Sequence, residues 1–151
     1  MIDAMVEMAW FASGRALAMG SQKVGVGSAY TWEYRDANGD WIDPARTYRL
    51  RLPGPIPAKD FWSVVVYDLW TRSMLANGQP FPSINSYAQG VELDEDGGVT
   101  VYIGPELPEG KEGNWIRTLP DVGWFPMLRL YGPLETWIDR TWKPDDVEPI
   151  D

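Results

Sequence analysis

The run Asp60-Phe-Trp-Ser-Val-Val-Val-Tyr-Asp68, continuing into Leu-Trp-Thr-Arg-Ser-Met-Leu75, constrains the fold more than any other part of the chain. It is the longest apolar run, and its β-branched and aromatic side chains suit a pleated strand. By the two-residue period, Trp62, Val64 and Val66 share one face and Phe61, Val65 and Tyr67 the other. A strand apolar on both faces is expected at the centre of a sheet, covered on both sides.

The same period recurs elsewhere. Tyr30, Trp32 and Tyr34 alternate with Thr31, Glu33 and Arg35, while Tyr48, Leu50 and Leu52 alternate with Arg49 and Arg51. Arg49 and Arg51 are expected to lie on the outer side of a sheet and pair with acids on a neighbouring strand. Val99-Thr-Val-Tyr-Ile103 and Gly123-Trp-Phe-Pro-Met-Leu-Arg-Leu-Tyr131 read as two more strands, and Pro126 predicts an edge position or a bulge in the last. The 13 Pro and 15 Gly cut the 151 residues into short elements, which favours a single all-β domain. Only residues 2–19 read as a substantial helix: Ile2, Met5, Val6, Ala9 and Trp10 fall at helical spacing, between a start at Asp3 and an end at Gly20. Its apolar stripe is expected to pack on the sheet.

Several function classes fall away. The net charge is −9 with no basic cluster, so nucleic acid is not an expected partner. No Cys means no disulfide or thiolate chemistry, and no His removes Ser-His pairs and His-ligated zinc. Gly25 and Gly27 lack the third glycine and the following helix of a dinucleotide loop. Asp36, Asn38 and Asp40 open like a calcium loop, but Gly39 is misplaced, Trp41 stands where the glycine belongs and Thr47 where the closing Glu belongs. A hairpin turn is expected there, and another in the acidic stretch Glu92–Gly98. No metal or cofactor is expected. No apolar run is long enough to span a bilayer, and Asp3 and Glu7 stand where a signal peptide would be basic, so a soluble, cytoplasmic protein is expected.

Taken together, Ser28-Ala-Tyr-Thr-Trp, Tyr34-Arg-Asp, Thr47-Tyr-Arg-Leu, Pro57-Ala-Lys-Asp-Phe-Trp-Ser-Val, Tyr67-Asp68, Thr71-Arg-Ser-Met-Leu75, Pro80-Phe-Pro-Ser83, Gly110-Lys-Glu-Gly-Asn-Trp115 and Leu128-Arg-Leu-Tyr-Gly-Pro-Leu-Glu135 resemble the family called domain of unknown function 1214, or DUF1214. The resemblance runs from about Ser28 to the end of the chain. It implies a jelly-roll-like antiparallel β-sandwich over residues 28–151, preceded by the N-terminal helix and linker of residues 1–27. It also implies a companion, domain of unknown function 1254, which commonly lies upstream of such domains. It carries no activity over to particular residues.

Two functional readings stand side by side. The first is a binding or interaction domain, for a small ligand, a partner domain or a second copy of itself. Trp32, Trp62, Trp70, Trp115, Trp124 and Trp137 could line a face for a sugar, a lipid-like molecule or another apolar ligand, although most are expected in the core. The second is a hydrolase or lyase using a carboxylate with Arg and Tyr groups. Asp68 ends the apolar run, where desolvation would raise its pKa, and Arg72 follows four residues on. A salt bridge between these two is the plainer expectation. Asn77, Gln79 and Asn114, with Trp115, would add polar contacts if their loops converge.

Overall fold

The alternating stretches become strands because each places one apolar face inward. The computed structural model describes residues 23–150. Its strands are β1 (Ser28–Trp32), β2 (Tyr48–Leu52), β3 (Ala58–Asp68), β4 (Ser83–Asn85), β5 (Val99–Gly104), β6 (Trp115–Arg117), β7 (Trp124–Pro133) and β8 (Glu148–Pro149). A single-turn helix, α1 (Glu135–Ile138), follows β7. The expected helix over 2–19 lies outside the described residues.

Two four-stranded sheets result, in the orders β1-β7-β3-β4 and β6-β5-β2-β8. Their inner faces meet in one core. Trp62, Val64, Val66, Leu128 and Leu130 come from the first sheet, and Tyr48, Leu50, Leu52, Val99, Val101 and Ile103 from the second. The Tyr48 and Trp124 rings meet edge to face at 5.8 Å between the layers. The sheets are not wholly antiparallel, since β6 runs parallel to β5. The chain between them is a crossover through the loop after Gly104, long enough to bring β6 back in the same direction.

Pro126 stands within a central strand, not at an edge. Its register partner is Val66, whose N–H bonds to Pro82 O and whose C=O accepts from Leu75 N. The proline nitrogen therefore faces the β1 side, where β1 has already ended opposite Met127. No ladder bond is lost, which is why the ring is tolerated.

β3 is central as expected, and among the described residues another layer covers only one of its faces. On the other, side chains shield one another: the Tyr67 and Phe125 rings stack at 5.7 Å, and Val65 and Phe125 are each 4% exposed. The second sheet shows the opposite outer surface. Arg49 binds Glu148, and Arg51 holds Asp96, Asp94 and Asp145 within 4.0 Å, as expected for arginines on a solvated sheet face. The Asp36–Asp40 stretch is a turn: Asp36 Oδ1 accepts the amides of Asn38 and Asp40, and Gly39 takes the left-handed φ of +84°. No described helix is long and apolar enough to cross a membrane.

Candidate functional site

Register brings a polar row across the outer face of the first sheet. Tyr30 on β1 lies opposite Arg129 on β7, Arg129 opposite Ser63 on β3, and Ser63 opposite Asn85 on β4. The rows on either side are mostly aromatic or apolar. Ser28, Tyr131 and Phe61 form one; Trp32, Met127 and Val65 form the other. The Phe61 ring meets Tyr131 at 5.5 Å and Tyr87 at 5.4 Å. Beyond the second row, Tyr34 and Tyr67 flank Phe125. Arg72 closes that end, its guanidinium 5.5 Å from the Phe125 ring and donating to Tyr34 Oη at 2.7 Å.

Arg129 is the only charge in the polar row. It makes no salt bridge or hydrogen bond among the described residues, and its Nε is buried without an acceptor. Its guanidinium lies 5.6 Å from the Tyr30 ring centre. Ser28 Oγ donates to Tyr30 Oη at 3.1 Å. That bond, with the Tyr131 hydroxyl and the positive charge of Arg129, holds the Tyr30 phenol below its ordinary range, while donation to Tyr30 pushes Tyr131 up.

A cleft of about 450 Å³ adjoins the Asn85 end of this row. Phe61, Trp62, Asn85 and Tyr87 line it together with Ile56 and Lys59. Tyr87, 74% exposed, is fixed at the rim by donation to Asp60 O at 2.7 Å. Face and cleft share Phe61 and Asn85, so they form one continuous surface.

The residues singled out from sequence occupy other places, apart from Trp62, which stands in the core wall and also lines the cleft. Asp68 and Arg72 form no salt bridge. Asp68 Oδ1 instead accepts the amides of Trp70 and Thr71, and these bonds hold its carboxyl below the usual range. The expected rise fails because β3 has left the core by then and Asp68 is half-exposed. Trp70, on the turn itself, is 84% exposed.

The loops of Asn77, Gln79 and Trp115 do converge, but around β6. Asn77 Nδ2 donates to Arg117 O at 2.6 Å, and Gln79 Oε1 accepts from Arg117 N at 3.0 Å. Asn114 holds both backbone groups of Glu92 and the Thr100 carbonyl, and Trp115 Nε1 donates to Gly104 O. Among the described residues, no cluster of three or more acidic side chains is arranged to hold a metal ion.

Tyr30, Ser63, Asn85 and Arg129 escape a sequence reading because four strands far apart in the chain contribute one residue each. Two signals were visible: Ser63 interrupts the longest apolar run, and Arg129 is the lone charge in the last long strand.

The family described as "Protein of unknown function (DUF1214)" matches residues 27–135, a span containing all four residues of the row. The chain belongs to the DUF1214 family. Among solved structures, the DUF1214 domain is similar to the VPA0106 protein from Vibrio parahaemolyticus, at 20% identity and a TM-score of 0.69 over 83% of this chain and 31% of that one. An uncharacterized protein from Burkholderia cenocepacia is similar at 18% identity and a TM-score of 0.50, over 88% of this chain and 33% of that one. The chain thus spans about a third of the length of these two. At such identities the likeness is one of fold. No curated protein matches the chain.

Proposed function

We propose that this DUF1214 domain is a binding module whose ligand surface is the outer face of the first sheet with its adjoining cleft. The observation that carries this reading is the polar row of Tyr30, Arg129, Ser63 and Asn85 set among aromatic rings. Rings supply area and the row supplies orientation, the usual division of labour in a small-molecule site. The cleft volume falls within the range of about 300–1,000 Å³ typical of such sites. The strand order supports a jelly-roll-like description, because the first strand pairs with the last long one and that one with the third. Folds of this type often offer a sheet face to ligands.

The length of the two solved relatives favours a second reading, in which the same face docks a further domain, of the domain of unknown function 1254 type, or a second copy. A hydrolase or lyase has less support. Glu33, the carboxyl pushed up to about 7, bonds to Val147 N on the opposite side of β1 from the polar row.

The test is backbone-amide NMR of the chain titrated with sugars, fatty acids, small aromatic acids and divalent cations. A saturable shift centred on Tyr30, Ser63, Asn85 and Arg129 is expected with one compound class. Shifts confined to the salt-bridged sheet, or none with any class, would sink the small-ligand reading and leave the docking face.

A further inference from the structure

We infer that Arg129 is the anchor for a monocarboxylate and that the ligand of this face is a small organic acid with a flat or apolar body. The inference rests on the binding reading above and assigns the ligand's chemistry. An arginine on a sheet face ordinarily pairs with a neighbouring acid, as Arg49 and Arg51 do on the other sheet. Among the described residues Arg129 has no acid to pair with: its cross-strand neighbours are Tyr30 and Ser63, and Tyr131 and Met127 stand two residues away on its own strand.

Its Nε–H is buried and has no partner among the described residues, a state that costs free energy until an acceptor arrives. A carboxylate meets a guanidinium through two parallel hydrogen bonds, so it suits a planar fork held against a ring. Because Ser28 donates to Tyr30 Oη, the Tyr30 proton is free to donate a further bond beside that fork. On the other side, Ser63 and Asn85 continue the row towards the cleft. Phe61 and Tyr87 offer a ring wall for the rest of the molecule.

Charge decides between anions. In the adjoining cleft Lys59 and Asp60 offset each other, so the one guanidinium of Arg129 neutralises one negative charge, and a chain of net charge −9 repels further ones. A monoanion is therefore favoured over a phosphate dianion.

The experiment titrates the whole chain with phenylpropionate and octanoate, with their neutral amides, and with inorganic phosphate. It follows heat and the arginine Nε–Hε resonances. At least one acid should bind roughly tenfold or more tightly than its amide and move the Arg129 Nε–Hε signal. Arg129→Met should abolish that preference without lowering the melting temperature, since an apolar side chain relieves the buried donor. Tyr30→Phe, which keeps every ring, should weaken the acid and spare the amide.

If acid and amide bind alike and Arg129→Met changes neither, the face binds ligands but the carboxylate anchor is wrong. If phosphate moves the same resonance as strongly as either acid, the monocarboxylate class is wrong. If none of the probes binds the face, both the anchor and the binding reading fall. A lowered melting temperature in Arg129→Met, together with unchanged acid binding in Tyr30→Phe, would make Arg129 a structural packing residue and overturn the inference.

Discussion

Glu33 is a carboxyl whose proton the fold retains. Burial pushes it up to about 7, against the weaker opposing effect of the Val147 amide at 3.3 Å, with Asp146 adding to the rise. The folded chain therefore holds this proton through a range where the unfolded chain, titrating near 4.5, has released it. Its contribution to stability is full below that lower value and declines as pH rises towards about 7. Glu33→Gln should match the parent at pH about 4 and exceed it by about 1–3 kcal/mol at pH about 8, read from thermal melts. An identical pH profile in both proteins would contradict this. Asp96 has the opposite sign: the Gly98 and Gly54 amides and Arg51 lower it to about 2, so its stabilising effect is lost only as pH falls towards that value. None of these values could be read from the sequence. Asp68 shows why, because two backbone amides outweigh the apolar run that precedes it.

At the scale of elements, alternation was the legible signal and pairing was not. The faces of β2 and β3 follow directly from period two, and the Asp36–Asp40 turn follows from its Asn-Gly step. Register depends on contacts such as Tyr30 with Arg129, nearly one hundred residues apart, and no local pattern encodes it. The clamp around β6 has the same origin. There, Asn77 and Gln79 take the place of a neighbouring strand, satisfying Arg117 and so blunting an exposed edge. Asn77 is 4% exposed and makes three hydrogen bonds, so Asn77→Ala should cost about 1–3 kcal/mol. Hydrogen exchange should speed up at the Arg117 and Gln79 amides while the β1–β7 ladder stays protected. Uniform loss of protection would instead mean that the clamp and the core open together.

At the scale of the whole molecule, the described residues build one core shared by both sheets, so the sheets are expected to unfold as a unit. Leu130→Ala on the first sheet and Ile103→Ala on the second each empty a fully buried site. Both should lower stability by about 2–5 kcal/mol in urea and keep a single transition, with fluorescence and circular dichroism coincident. Separate midpoints would split the sandwich into two folding units. The turn that Asp68 caps has an optical consequence. Trp124 is 2% exposed and Trp62 and Trp142 are each 8%, whereas Trp70 stands 84% and Trp41 64% in water. Acrylamide should therefore reach Trp70 readily, and its emission should lie to the red of the sealed indoles. A background with both Trp41→Phe and Trp70→Phe would remove these two water-facing indoles and brighten the contrast of Trp62, the indole beside the cleft, giving ligand titrations a reporter at the surface they are meant to probe.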